Sequence, residues 1–548
     1  MIAPLCFLAV FAGLLVPASA FAAEPAPPPK AVIDADAIAA LIDRHLAADW
    51  HARGIKPASL ADDSEYCRRV YLDLIGRAPK VAELREFLAE ADSHKRIKLV
   101  DKLLLMPSHA AHFAQATRVA WLPQSVTNQQ FGFFGQQLEV FLRNRYRDNT
   151  PADETVRKLM TVSLRVNNGN NNGGMRFLQP DPNDPDSQSL LAFYQANEVK
   201  PENVGSAVSR LFMGIKLECA QCHDHPFAPY TKEQFWEFAA FFAEMNALPN
   251  RRPSEAAPTG PQSDKNRLNI PNTDKQVIAK FFDGTDPKWS AERSPRQELA
   301  EWLTRPSNPY FARNLANRMW AQFFGLGILD PVDEPGENNQ PSHPRLLDEL
   351  GQAFAAVKFD NRVLIRGITR SRAYQLTSKL SHPTQANPRM FARMSLKGLT
   401  PSQLFDSLVA ATGYRENANF KNNQFAFFPQ QGNPRSMFLS RFASTDKPTE
   451  TSTTILQALM LMNGEFIEGQ TGTERSEILG AVVDVPGWDT KKRVETLFMT
   501  ALAREPSAAE LEKFSSYVER GGAANDKKRA LGDVFWVLLN SPEFLFNH

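Results

Sequence analysis

Cys219, Ala220, Gln221, Cys222 and His223 place two thiols and an imidazole within five consecutive residues. Two cysteines a turn apart can add to the vinyl groups of a haem as thioethers, and the histidine that follows then turns its ring toward the iron. The expectation is one covalently attached haem c, bound by Cys219, Cys222 and His223, with His223 as the metal ligand. Other chemistries use the same groups: a structural or redox-active disulfide, a zinc ion on Cys219, Cys222 and His225, or two free buried thiols. A thioredoxin-like role calls for a βαβ setting, which the surrounding helical pattern does not offer, and no second cysteine pair exists to close a structural zinc site. The sixth iron position stays open. His225 lies too close to His223 to reach the opposite haem face, and suits a propionate or the edge of the site. Met175, Met213, Met245, His109 and His112 are candidate distal ligands that no spacing singles out. A methionine would raise the potential, whereas an open position would suit catalysis.

The compartment this chemistry needs is written at the start of the chain. An apolar run from Leu5 to Val16 precedes small-residue cleavage sites at Ala18-Ser19-Ala20 and Ala20-Phe21-Ala22, so residues 1–22 read as a signal peptide. No Lys or Arg precedes the run, which makes a membrane anchor the alternative, although the run is short for a bilayer span. The expected location is periplasmic, secreted or at the cell surface, with no transmembrane span in the mature chain. Three cysteines remain after cleavage, an odd number that rules out an all-disulfide framework. Cys67, Val70, Tyr71 and Leu74 follow helical spacing, which assigns Cys67 to a core. Lys and Arg number 62 against 61 Asp and Glu, and a net charge of +1 gives no reason to expect nucleic acid. The expected partner is a redox protein or an extracellular substrate.

The elements that must position the motif read as mostly α, two helical domains with long irregular loops. A tether over 23–33 leads to a first domain over 34–248 that carries the motif. A Pro/Ser/Asn-rich linker over 249–290 follows, and then a second helical domain over 291–548. Ile38, Leu41, Ile42 and Leu46 share a face, and further helices fit 64–76, 80–91 and 93–105. The segment 203–217 reads as a helix that delivers the cysteines. Phe235, Trp236, Phe238, Phe241 and Phe242 offer aromatic bulk to cover a porphyrin, or an ordinary helix core. An internal repeat relates the chain ends: Arg77, Pro79, Ala82, Glu83, Leu84 and Phe87 recur as Arg504, Pro506, Ala509, Glu510, Leu511 and Phe514, which predicts related helical units. The Asn/Gly-rich run 167–174 and the Pro/Asp-rich run 180–186 read as loops.

In the second half, Asp330, Asp333, Glu334 and Glu337 precede Ser342-His343-Pro344. Carboxylates beside a histidine suit acid/base chemistry, yet a residue before Pro344 also makes a good helix start. Asp333 and His343 are kept as secondary site candidates on this footing, with His225 and Met245.

Together these motifs resemble a two-domain arrangement of secreted planctomycete-type proteins: a cytochrome-like domain followed by a second domain of unknown function. The resemblance rests on Arg68-Arg69-Val70-Tyr71-Leu72-Asp73-Leu74, on the run Leu217–Phe227 around the cysteines, and on Ala240-Phe241-Phe242. In the second half it rests on Asn317-Arg318-Met319-Trp320, Phe324–Gly327, Asp330–Asp333, Ser342-His343-Pro344 and Leu461–Gly464. It implies haem binding and supplies no substrate. The stretch Ala114–Pro123 departs from the Trp-Leu-Asp-Leu-Ala-Arg-Tyr-like segment of many relatives. The reading is an exported c-type haem protein that performs electron transfer or haem-dependent redox chemistry. The alternatives are an extracellular binding or scaffold protein with a structural CxxC, and a polysaccharide-acting hydrolase.

Overall fold

Asp34 opens the first helix, its carboxylate accepting from the N–H groups of Asp36 and Ala37 at 3.0 and 2.9 Å. From there Ile38, Ile42, Leu46 and Trp50 of helix Ala35–Ala52 point into the core, one per turn. The computed structural model describes residues 33–127, 129–166, 178–225, 228–247, 264–290, 292–336, 338–415, 434–442, 471–472 and 476–548. The signal-peptide reading, the Asn-rich run 167–174, Met175, Glu337 and Leu461–Gly464 lie outside them. Helix outweighs strand 62% to 4%, which makes the fold mainly α. Among the described residues the only sheets are three antiparallel two-stranded ribbons.

The expected helices near the N-terminus form as Asp63–Ile75, Val81–Ala89 and Lys95–Leu104. Helix Asp63–Ile75 is buried on every side from Glu65 onward, Cys67 included. Burial pushes the Cys67 thiol far up.

The repeated sequence builds a repeated structure. Arg77 grips Glu83 with two hydrogen bonds of 2.8 Å and donates to Ala78 O, while Lys80 N donates to the same carboxylate. Arg504 grips Glu510 with two bonds of 2.9 Å and donates to Glu505 O, while Ser507 N donates to that carboxylate. Each pair fixes the entry of a short helix, Val81–Ala89 or Ala508–Glu519. The helix before each pair ends in a left-handed residue, Gly76 or Ala503. Each short helix is followed by a longer one, Lys95–Leu104 or Lys527–Leu539, and then by one started by proline, at Pro107 or Pro542.

The two ends of the chain are joined through charged side chains. Fully buried Arg68 donates to the carbonyls of Ala501, Glu543 and Phe544 at 3.0–3.2 Å. Arg69 donates to Leu376 O, to His548 O and to Glu65. Asp73 accepts from Lys397 Nζ at 2.6 Å, Asn547 Nδ2 at 2.7 Å and Tyr374 Oη at 2.8 Å. A buried charge is tolerated only when paired in this way, and apart from Glu65 the partners here lie 301–479 residues distant in sequence.

Two hydrophobic clusters result. The larger draws on helices from Ile38 to Met245 and equally on Phe281, Trp302, Trp320, Leu350 and Met394, so it spans both sides of the 249–290 stretch. The smaller is built from Leu404 to Phe544. Among the described residues no helix is long and apolar enough to cross a membrane.

Candidate functional site

Helix Pro201–Val208 does not run straight to the cysteines. It widens into a π turn over Ser209–Met213, a geometry that interrupts the regular ladder and leaves carbonyls to be satisfied from outside. Gly214 closes the turn at φ +70°, and a Cβ there would lie 2.6 Å from Asn314 Oδ1, so only glycine fits. Asn314 Nδ2 donates to Leu211 O at 2.7 Å, and Arg318 Nη2 donates to Arg210 O at 2.7 Å. Ile215 and Leu217 are buried, and Lys216 N donates to Asp333 O at 2.8 Å.

A short 3₁₀ turn follows over Glu218–Gln221. Three residues per turn bring positions i and i+3 toward the same side, and Cys222, immediately after the turn, follows Cys219 by three positions. Ala220 is buried and anchors the turn, while both thiols are free and exposed. His223 Nδ1 lies 2.7 Å from Asp224 O. A carbonyl only accepts, so Nδ1 carries the proton and Nε2 keeps its lone pair. Beyond the motif, Lys232 N donates to Asp224 Oδ1, Trp236 Nε1 donates to Gln221 O, and His225 N donates to Tyr230 O.

This donor set fits covalent attachment of a haem: two aligned thiols, then an imidazole whose free nitrogen is the one a metal takes. Residues 41–247 around it match the protein-family model PSCyt2, described as a protein of unknown function (DUF1549). Residues 295–518 match PSD1, described as a protein of unknown function (DUF1553). The chain belongs to this two-domain family. No curated protein and no solved structure matches it.

Within the PSCyt2 segment the aromatic run has a different place from the porphyrin cover considered above. Phe235, Trp236, Phe238, Phe241 and Phe242 are at most 4% exposed and belong to the main core. The aromatic side chains lie on the buried face of helix Lys232–Ala239 and in the 3₁₀ turn Ala240–Phe242 after it, while Glu233 and Glu237 face outward. Met245 and Met213 are enclosed in the same core, and buried His109 sits against Leu74 O at 2.9 Å. His225 is half-buried, its ring edge-on to Tyr230 at 6.1 Å. Among the described residues no group of three or more His, Cys, Asp or Glu side chains is poised to hold a metal ion, so the zinc alternative finds no ready cage.

In the PSD1 segment Asp333 and His343 face different partners. Asp333 Oδ2 lies 3.4 Å from Arg318 and 3.9 Å from Arg210. His343 caps helix Pro344–Ala356, packs on Phe391, and places Nε2 3.2 Å from Asp49. Burial holds its pKa down at about 4 against the pull of Asp49. These are structural placements, and they do not form the joint acid/base site considered from sequence. Asn314 and Arg318, the latter named from sequence only within the motif Asn317–Trp320, are side chains that reach the approach to the cysteines. Nothing local in the sequence signals that contact.

Proposed function

We propose that this chain is an exported c-type haem protein of the electron-transfer class, with haem attached through Cys219 and Cys222 and with His223 as ligand. The observation that carries the reading is the exposed 3₁₀ turn with free thiols at Cys219 and Cys222, beside a His223 whose Nε2 is the available nitrogen. Bound there, a haem supplies one-electron exchange. The chain's own contribution is to align the two thiols, to fix the imidazole tautomer through Asp224 O, and to hold the attachment point at the surface, where a partner protein can approach. The apolar run Leu5–Val16 supports export, and covalent haem attachment belongs to that compartment.

The test is a haem stain on denatured protein, with a reduced-minus-oxidised spectrum, after expression with c-type haem maturation. Stained wild-type chain and unstained Cys219→Ser/Cys222→Ser chain are the expected result. Wild-type chain without haem under those conditions would refute the reading. The same aligned thiols favour a second reading, a reversible Cys219–Cys222 disulfide. Thiol counting before and after mild reduction separates it from haem attachment.

A further inference from the structure

Side chains of the PSD1 segment meet the approach to the cysteine motif of the PSCyt2 segment, mostly at its backbone atoms. Helix Phe311–Phe324 presents Asn314 and Arg318 four residues apart, on one face. Arg318 Nε donates to Asn314 Oδ1 at 3.2 Å, so the two side chains brace each other. Asn314 then holds Leu211 O and Arg318 holds Arg210 O, carbonyls of the π turn. Asp333 completes the hold from the other side: its carboxylate faces Arg318 and Arg210, and its carbonyl takes Lys216 N. Asp333 is itself kept in place by Asn317, which exchanges 2.8 and 3.1 Å bonds with Leu329 and so fixes the turn that leads to it. Every link acts on residues 210–216, immediately before the turn that carries the thiols.

We infer that Asn314, Arg318 and Asp333 are positioning residues that hold the Ser209–Leu217 approach so that Cys219 and Cys222 are presented as a pair for covalent capture of a ligand. The inference rests on the function proposed above for the identity of that ligand, and on geometry alone for the pairing. A purely structural trio would lower stability and leave the thiols equally paired. A positioning trio governs how readily both sulfurs reach one target.

Phenylarsine oxide reads this directly, because tight binding needs two As–S bonds on one arsenic, formed with loss of one water and no change of oxidation state. The full chain, reduced and free of haem, is titrated with it alongside Asn314→Ala, Arg318→Gln, Arg318→Lys and Asp333→Asn. Circular dichroism verifies that each variant is folded. Asn314→Ala and Arg318→Gln are expected to weaken capture about tenfold, the effect of one lost buried hydrogen bond, and Arg318→Lys to recover part of it. Asp333→Asn keeps the Lys216 N bond, so it serves as the folded test if the others fail to fold, with a smaller loss expected. Wild-type affinity in all folded variants overturns the inference. The same variants are then expressed with haem maturation. Wild-type chain that captures the arsenical but takes no haem refutes the proposed function and leaves the positioning role intact. Wild-type chain that takes haem no better than Arg318→Gln overturns the positioning role and leaves the proposed function intact.

Discussion

At the scale of single residues, the strongest constraints are buried charges rather than the thiols. Lys397 meets Asp73 at 2.6 Å with both side chains at most 7% exposed. Lys397→Met leaves the Asp73 carboxylate buried with only neutral donors, and is expected to cost about 3–5 kcal/mol. Asp73→Leu combined with Lys397→Met removes both charges and should cost less than that single change, which urea unfolding of both variants checks. Four histidines set a pH dependence. Burial lowers His109, His112, His343 and His548 from 6.5 to about 4. Between those values the unfolded chain binds protons that the folded chain refuses, so stability falls as pH drops from about 6.5 toward 4 and is fully present above 6.5. The slope contributed by each histidine approaches about 1.4 kcal/mol per pH unit. Denaturation midpoints measured at pH 7.5, 6 and 5 should decline in that order, and His343→Asn should flatten the decline.

At the scale of elements, the repeated Arg–Glu pairs define two entries of the same kind. Arg77→Ala removes two charge-assisted bonds and is expected to cost about 1–3 kcal/mol. Arg504 also grips Glu543, so Arg504→Ala should cost more than Arg77→Ala in the same urea titration. Much at this scale was legible in the sequence. The Asp34 start, the helix endings near Gly76, the proline starts and the Arg77/Arg504 correspondence are local signals, written within a turn or two of where they act. Cys67 was legible for the same reason. The aromatic run from Phe235 to Phe242 was ambiguous because an aromatic helix face looks alike whether it covers a cofactor or fills a core. The partners of Arg68, Arg69 and Asp73 were not legible at all. They are mostly backbone carbonyls, which no residue type announces, on segments hundreds of positions away. The hold of Asn314 and Arg318 on the π turn escaped for that same reason.

At the scale of the whole molecule, the largest core is shared across the Pro/Ser/Asn-rich stretch. Phe281 stacks between Phe241 and Trp302 at 5.3 and 4.9 Å, and buried Arg296 donates to Met160 O and Val162 O. Residues 34–248 expressed alone would expose the apolar faces that Trp302, Trp320 and Leu350 cover. The expected outcome is loss of cooperative thermal unfolding and rapid proteolysis, measured beside the full chain.

The link from Arg69 to His548 has a consequence in time. Helix Asp63–Ile75 leaves the ribosome long before residues 544–548, which carry the last acceptors of its arginines. At the usual pace of synthesis that interval is on the order of a minute. Asp73 waits for Tyr374 and Lys397, and Arg68 waits longer still for Ala501, Glu543 and Phe544, so the newborn helix must stay hydrated or be sheltered by a chaperone. Residues 544–548 then act as the latch that lets helix Asp63–Ile75 be buried.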